Sequence, residues 1–391
     1  MRKKKKYALV LSGGGFNGAF QLGAINYLND NWKKITGLTT PMKFDIIAGV
    51  SVGAINGAML AMNKLGTLNQ LWLDKIAKNG VTEIYTSDFI DTNYKGDDLK
   101  MKLDIESIRK RLIPDFEIDL GIFKKLGMIF SKDLRKQLMK EIFDDLSLHL
   151  RKGLSKFRSL ADNSPLKLKL QEYLSKDKIN GTKFLCGFVS LDTGQYHSTL
   201  HSDFSSNEDF INGVLSSSCI PMVYEPVKQV QYVTGNDLHI SKNNIDGGVK
   251  NVSPLGDVVD RINNDPEGAE YKIIIINCNS GSNIPENYSD KNIFQIAARS
   301  LYEIAFTEIF NNDVKHFLKI NDLVRQAKVW DKKIVLCESG KKEIKEFDSI
   351  VIQPHTDIDL GNGLVANEKL INQRVAHGEL MAKLAFGNKV F

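Results

Sequence analysis

The first 66 residues alternate short apolar runs with helical patterns, and this order constrains the fold more than any other feature of the chain. An apolar run at 7–11 ends in three glycines and precedes apolar side chains at helical spacing over 16–32. A second apolar run at 44–51 leads into a helix of small residues that we expect to end at Gly66. This order predicts an α/β protein with a mainly parallel central sheet that is covered by helices on both faces.

The second half of the chain returns to strand and helix patterns. Two strands joined by a turn at 192–194 are predicted within 182–202. Further predicted elements are a helix at 207–219, a turn at 243–255, a strand at 271–279, a helix at 292–310, strands at 332–339 and 348–354, and a helix at 367–386.

The predicted organisation is one domain over 7–391 preceded by a basic tail at 1–6. Residues 67–180 have few strand runs and many Lys, Leu, Ile and Phe at helical periods. We interpret them as a helical insertion or cap, and 321–391 as a C-terminal strand–helix extension.

A serine follows the second predicted strand directly, in Gly49-Val50-Ser51-Val52-Gly53. The glycines of this GxSxG pattern allow a strand to turn abruptly into a helix, which leaves the serine hydroxyl at the carboxyl edge of the sheet. The N-terminus of the following helix favours negative charge at this point. Ser51 is therefore a candidate nucleophile, although small residues also suit close packing between a strand and a helix.

Three consecutive glycines end the first predicted strand, immediately before a helix. The backbone amides of Gly13, Gly14 and Gly15 can close around an anion there, as an oxyanion hole requires. A nucleotide phosphate is the alternative anion, since Gly13, Gly15 and Gly18 satisfy a GxGxxG spacing. The loop lacks the Lys-Ser/Thr ending of a P-loop and crowds its glycines together, so we favour the oxyanion interpretation.

Asp246 is the candidate base, because a serine hydroxyl needs a proton acceptor before it can attack. Gly247 and Gly248 follow it and let the backbone bend tightly, which can bring the carboxylate close to another loop. The alternative is a structural type I′ turn, for which Asp-Gly is a common signal.

As a set, these motifs resemble the patatin-like phospholipases. GGGxxG at the first strand, GxSxG at the second and a later DGG follow that family's order. The segment SSSCIPMVYEPV at 216–227 is similar to the small-Ser-x-x-x-Pro-x-x-x-x-Pro segment that precedes the family's DGG. The resemblance covers 7–64 and about 181–320, and it implies a three-layer α/β/α patatin-like fold.

The resemblance also implies a Ser-Asp dyad that hydrolyses fatty-acyl esters of membrane lipids, as a phospholipase A or lysophospholipase does, without a cofactor. Ser51 would form an acyl-enzyme, Asp246 would accept the hydroxyl proton, and the amides of Gly13–Gly15 would stabilise the oxyanion. The supporting motif residues would be Gly18, Gly49, Gly53, Gly247 and Gly248. One departure is Asn17, which stands where the family usually has Lys or Arg, so some positive potential near the oxyanion is lost.

Two other functions remain open from the residues. An α/β-hydrolase esterase also has GxSxG and orders its triad Ser, Asp, His, an order that Ser51, Asp246 and His355 satisfy. In that fold the nucleophile normally follows several strands, whereas Ser51 follows the second. A non-catalytic lipid-binding or regulatory protein can also keep the fold, but such proteins often lose the nucleophile or the base, and this chain has both.

Charge is concentrated at the N-terminus. The net charge is +5, and 2–6 contribute five of the 52 basic residues, so the rest of the chain has 47 basic and 47 acidic residues. This balance argues against a nucleic-acid partner. No run reaches the ~18 apolar residues of a membrane span, and the tail does not begin a convincing signal peptide. The four scattered cysteines read as reduced thiols of a cytoplasmic protein: Cys186, Cys219, Cys278 and Cys337.

The expected partners are a phospholipid or other acyl lipid and, peripherally, the membrane. At 120–130, Lys124 and Lys125 lie between apolar residues, and such mixing can seat a segment at a lipid interface. A helix that packs its apolar residues on the domain and leaves the lysines in water explains this pattern at least equally well. A cytosolic phospholipase can damage its own membranes, so we also expect restraint by an activator or a partner. The histidines form no HExxH set and no EF-hand loop is present, so no metal is expected.

Overall fold

The computed structural model describes most of the chain outside a long segment in its middle. The described residues are 4–94, 96, 100, 158–283, 285–290, 296–297, 299–336, 342–387 and 391. Half of the basic tail, most of the predicted insertion including 120–130, and Cys337 lie outside these residues.

The strands form one large sheet and one small one. Within the described residues they are β1 Lys5–Leu11, β2 Ile46–Val50, β3 Lys183–Ser190, β4 Tyr196–Leu200, β5 Val227–Thr234, β6 Asp237–Asp246, β7 Glu270–Ile276, β8 Val335–Leu336, β9 Lys342–Glu343 and β10 Asp348–Ile352. The large sheet has the order β10-β7-β1-β2-β3-β6-β5, with β4 also paired to β3, and β8 pairs with β9. Strands β10, β7, β1, β2 and β3 run parallel, whereas β4, β5 and β6 join by antiparallel pairing.

The helices connect these strands and cover the sheet. Within the described residues the α- and π-helices are α1 Gly18–Thr36, α2 Val52–Ala61, α3 Leu65–Asn69 with its π-helical continuation Gln70–Ile76 and last turn Ala77–Asn79, α4 Ser164–Tyr173, α5 Asn207–Ser217, α6 Leu255–Asn263, α7 Arg299–Ala305 (π-helical) continued by Phe306–Val329, and α8 Glu368–Phe386.

Alternate residues of β1 are buried in two separate cores, because successive strand side chains point to opposite faces of a sheet. Leu9 and Leu11 belong to the larger core, which also contains buried residues of α1, α2, α5 and α8. Ala8 and Val10 belong to the second core, where α6 contributes Val258. The predicted three-layer α/β/α architecture with a mainly parallel sheet is therefore confirmed.

Three element predictions need correction. The helix after Ser51 ends at Ala61 rather than Gly66, because Asn63 adopts a left-handed conformation (φ 57°) and α3 begins two residues later. Asp246 is the last residue of β6, not part of a turn, and the hairpin of β5 and β6 was not predicted. This hairpin lies at the sheet edge and few of its side chains are buried, so it lacks the apolar alternation that identifies a strand. The helix predicted at 292–310 continues to Val329.

The described C-terminal elements are integral to the sheet and its helical layer. β10 pairs with β7, and α8 crosses α1 in backbone contact at two glycines. A Cβ atom at Gly23 would lie 1.9 Å from the Val375 carbonyl oxygen, and one at Gly378 would lie 2.0 Å from that of Phe20. α8 is thus fixed firmly beside the helix that follows the glycine loop.

Candidate active site

Ser51 lies in a strained turn between β2 and α2. Its backbone has φ 56° and ψ −129°, and such conformations cost an L-residue about 1–3 kcal/mol and are concentrated at functional sites. The backbone approaches both flanking glycines so closely that no side chain fits there. A Cβ atom added at Gly49 would lie 2.2 Å from the Gly53 carbonyl oxygen, and one added at Gly53 would lie 2.3 Å from the Leu11 carbonyl oxygen. The sequence prediction of a sharp strand-to-helix turn at this serine agrees with the observed backbone.

A second serine, Ser217, links the turn to strand β3 by hydrogen bonds. The Ser51 amide donates a hydrogen bond to Ser217 Oγ at 2.9 Å, and that hydroxyl donates to the Gly187 carbonyl oxygen at 2.5 Å. Both residues at the ends of this bridge are separated from Ser217 by long stretches of chain. In the sequence, Ser217 lies in the segment 216–227 that is similar to the family, and nothing there distinguishes it from Ser216 or Ser218.

Replacing Ser217 by alanine is expected to lower the free energy of unfolding by about 1–3 kcal/mol, because a buried amide and a buried carbonyl lose their partner. Ser216→Ala is the matched control, since Ser216 Oγ bonds the Asn212 carbonyl within its own helix. Chemical denaturation of both variants measures the difference. An equal loss in the two variants would contradict a specific role of Ser217 in holding the Ser51 turn.

Asp246 is brought to Ser51 by strand β3. Val50 pairs with Gly187 at the end of β2, and Asp246 pairs with Phe188 at the end of β6. β4 occupies the opposite edge of β3, so β2 and β6 share one edge and meet end to end. Consecutive residues of β3 therefore fix the positions of the two candidate catalytic groups.

The carboxyl group of Asp246 is fully buried. Oδ1 accepts a hydrogen bond from the Gly248 amide at 2.7 Å, and the Asp246 amide donates to the Cys219 carbonyl oxygen at 2.9 Å. Oδ2 has no hydrogen-bond partner among the described residues. Burial raises the pKa of Asp246 to about 7, and the Ser51 hydroxyl and the Gly248 amide oppose this rise. The hydroxyl is thus near enough to stabilise the carboxylate, although it makes no hydrogen bond of normal geometry, and Oδ2 is available to receive a proton.

The glycine loop passes directly over Ser51. A Cβ atom at Gly13 would lie 3.2 Å from Ser51 Cβ, and the Gly13 amide donates to the Val252 carbonyl oxygen at 3.0 Å. In the part of the chain that the structure describes, the amides of Gly14 and Gly15 have no hydrogen-bond partner. Of the three predicted oxyanion donors, the structure therefore leaves two amides uncommitted, while the third fixes the loop to the segment after Asp246.

Asn17 leaves the loop without a cation. Its side chain is buried, and its Oδ1 has no hydrogen-bond partner among the described residues. The next amide toward the glycines, that of Phe16, donates to the Gly363 carbonyl oxygen at 2.7 Å. The C-terminal region thus contacts the loop, a contact that sequence reasoning missed because 347 residues separate Phe16 from Gly363 in the chain.

A protein-family model matches the part of the chain that contains the candidate site. The model of "Patatin-like phospholipase" matches residues 9–259, which is more than half of the chain. The chain belongs to the patatin-like phospholipase family. The match includes Ser51, Asp246 and the glycine loop, and it ends before α7, β10 and α8.

The structure of VipD from Legionella pneumophila is similar to this patatin-like chain at 14% sequence identity with a TM-score of 0.34. The alignment covers 97% of this chain and 66% of that one, so the chain spans just under two thirds of the length of VipD. No curated protein sequence gives a significant match. Among the described residues, no helix is long and apolar enough to cross a bilayer.

The structure does not bring His355 to Ser51. Its side chain is 56% exposed, its amide donates to His377 Nε2, and its Nδ1 accepts from the Asp357 amide. It follows β10, which is separated from β2 by β7 and β1, and three strand spacings amount to about 14 Å. The arrangement of a triad that includes His355 is therefore absent from the described residues.

Two further histidines make hydrogen bonds within the fold. His197 Nδ1 bonds the Tyr232 hydroxyl, and His201 Nδ1 accepts from the Phe184 amide. The described residues contain no group of three or more His, Cys, Asp and Glu side chains that could hold a metal ion. Three cysteines are buried free thiols: Cys186, Cys219 and Cys278.

Proposed function

We propose that this patatin-like protein is a serine lipid acyl hydrolase of the phospholipase A or lysophospholipase type, with Ser51 as nucleophile and Asp246 as base. The observation that carries the proposal is the placement of a strained serine and a fully buried carboxylate by consecutive residues of one strand. The membership in a family of lipid acyl hydrolases agrees with this arrangement.

In the acylation step, Asp246 Oδ2 takes the proton of the Ser51 hydroxyl as Oγ attacks the ester carbonyl. The carbonyl oxygen becomes an oxyanion, and the uncommitted amides of Gly14 and Gly15 are the donors beside Ser51 that stabilise it. When the tetrahedral intermediate collapses, the alcohol product takes the proton from Asp246 and leaves an acyl-enzyme on Ser51.

In the deacylation step, Asp246 removes a proton from water, which attacks the acyl carbonyl. When this second tetrahedral intermediate collapses, Asp246 returns the proton to Ser51 Oγ, and the fatty acid is released. A pKa of about 7 for Asp246 suits both directions of proton transfer, because a general base works best when its pKa is close to the working pH. The positive end of the α2 dipole lies next to Ser51 and also favours the negative charge of the intermediate.

Peripheral membrane contact is the second part of the proposal. Four exposed apolar side chains lie within a few residues of positions that contact Asp246 or Gly248: Met222, Val249, Leu301 and Ile304, which are 36% to 49% exposed. Met222 follows the Cys219 carbonyl that holds Asp246, and Leu301 and Ile304 precede Phe306, whose ring packs on Gly248. Apolar side chains beside a lipid hydrolase site are suited to the interface of a bilayer.

Replacing Ile304 by glutamate is expected to weaken binding to vesicles of phosphatidylcholine and phosphatidylglycerol about tenfold. The variant loses an apolar side chain that the bound protein would bury in the bilayer interface. Val329→Glu is the control, since Val329 is exposed at the far end of the same helix, roughly 35 Å away. Flotation of both variants with the vesicles gives the comparison. Equal binding would refute membrane contact at this end of α7.

The test of the proposed activity is mass spectrometry of lipid vesicles after incubation with the protein. We expect free fatty acid and the matching lysolipid, and the positions of the remaining acyl chains identify which ester is cleaved. A fluorophosphonate probe distinguishes the non-catalytic alternative, because only an activated serine reacts with it. A folded protein that neither releases fatty acid nor reacts with the probe would refute the hydrolase proposal.

A further inference from the structure

Arg374 is among the largest fully buried side chains of the described residues, and it lies in α8, beyond the part of the chain that matches the family model. A buried guanidinium is expensive unless its donors are satisfied, so its position indicates a specific structural task. Its contacts show what that task is.

The guanidinium is a hydrogen-bonding centre for the loop between β10 and α8. Nε donates to the Leu360 carbonyl oxygen at 2.8 Å, Nη1 to that of Val365 at 2.9 Å, and Nη2 to that of Asn362 at 3.1 Å. A planar fork of donors can join three carbonyls in one fixed geometry, which a point charge such as an ammonium cannot do.

The same loop lies against the glycine loop. The Gly363 carbonyl oxygen accepts from the Phe16 amide at 2.7 Å, and a Cβ atom at Gly15 would lie 2.3 Å from that oxygen. The backbone of Gly363 is also close to the glycine loop, since a Cβ atom added at Gly363 would lie 3.0 Å from the Gly14 carbonyl oxygen. The carbonyl of Gly363 thus holds the residue that directly follows the two uncommitted amides.

The charge of Arg374 also reaches this region. Burial raises the pKa of the Cys278 thiol to about 12, and the Arg374 charge acts in the opposite direction. The Cys278 side chain is packed on Gly14, where an added Cβ atom would lie 2.2 Å from Cys278 Cβ. Arg374 therefore places positive potential near a loop in which Asn17 supplies none.

We propose that Arg374 is a positioning residue for the oxyanion hole: it fixes the 360–365 loop, which fixes Phe16 and thereby the amides of Gly14 and Gly15. The inference rests on the proposed hydrolase function, and it assigns to the C-terminal helix a part of the site that lies outside the family model. α8 can act in this way because its crossing with α1 at Gly23 and Gly378 is a backbone contact.

The experiment compares Arg374→Lys and Arg374→Gln with the wild type in steady-state hydrolysis of a soluble acyl ester. We expect kcat to fall about tenfold in Arg374→Lys and about a hundredfold in Arg374→Gln, with KM nearly unchanged, because the oxyanion donors act mainly in the transition state. Asn321→Ala is the control for general destabilisation. It removes a buried pair of hydrogen bonds with Phe347 at the amino end of β10, the end opposite to the active site.

Hydrogen exchange of the same variants gives a readout that does not depend on turnover. Amides of 13–18 are expected to exchange faster in both Arg374 variants, whereas those of α2 remain as in the wild type and Asn321→Ala leaves 13–18 unchanged. Normal kcat in both Arg374 variants, or a loss of kcat without faster exchange at 13–18, would overturn this inference. A wild type without Ser51-dependent turnover would instead overturn the proposed function and with it the catalytic meaning of Arg374.

Discussion

Replacing Ser51 by alanine is expected to reduce kcat for acyl-ester hydrolysis at least about 10³-fold, because the acyl-enzyme cannot form without the hydroxyl. The same vesicles and mass spectrometry that test the wild type measure this loss. The structural cost of the change is small, since alanine keeps the Cβ atom and the Ser51 amide keeps its bond to Ser217. Residual activity within tenfold of the wild type would exclude Ser51 as the nucleophile.

Ser51→Gly provides a matched variant that separates activity from stability. It should be equally inactive, but its unfolding free energy should exceed that of Ser51→Ala by about 1–2 kcal/mol, because glycine adopts φ 56° without the steric cost of a Cβ atom. Thermal or chemical denaturation measures this difference. A less stable glycine variant would mean that the turn is not strained at Ser51.

Asp246→Asn is expected to lower kcat about 10²- to 10⁴-fold, because the amide cannot accept the proton of the nucleophile. In the wild type, log(kcat/KM) should fall with unit slope as the pH decreases below about 7, since the base must be ionised. Measuring this profile at constant ionic strength tests the raised pKa directly. A profile that stays flat down to pH 5 would contradict Asp246 as the base.

The same variant should be more stable than the wild type at pH 8. The folded-state pKa of Asp246 is raised from 3.8 to about 7, so the folded protein binds more protons than the unfolded chain between these values, and wild-type stability declines as the pH rises through them. Asparagine removes this cost, which is on the order of 2–4 kcal/mol at pH 8, and retains an acceptor for the Gly248 amide. The difference between the two proteins should shrink toward pH 4.

His355→Ala is the control for the mechanism. With its side chain mostly exposed and bonded to the Asp357 amide, it should leave kcat within about twofold of the wild type. A severe loss of activity in a folded His355→Ala protein would favour a triad over the Ser-Asp dyad.

Local patterns were sufficient to predict the layers of this fold and the turn at Ser51. The alternation of strand and helix before Gly66 predicts a parallel sheet, and the backbones meet so closely at 49 and 53 that only glycine fits there. The hairpin that delivers Asp246 could not be found in this way, because its strands lie at an exposed edge and are mostly polar. Apolar periodicity identifies strands that bury one face, and the two strands of this edge hairpin bury few side chains.

The groups that hold the site in place were also beyond local patterns. Ser217 and Arg374 act through hydrogen bonds to backbone atoms, which any residue can supply, so the partner leaves no signature in the sequence. Arg374 even resembles the other polar residues of an amphipathic helix until its burial is known. Only the three-dimensional arrangement distinguishes a buried fork of donors from a solvated side chain.

The shared edge of β3 has a consequence for control of the proposed activity. Because Val50 and Asp246 pair with neighbouring residues of one strand, the backbones that carry the candidate nucleophile and the candidate base cannot separate unless the central sheet itself loses its pairing. A switch that assembled the proposed dyad on demand would have to break strand pairing in the central sheet. Control of the proposed hydrolase activity is therefore expected to act on the elements around Ser51 and Asp246, by admitting lipid to Ser51 or by adjusting the glycine loop above it.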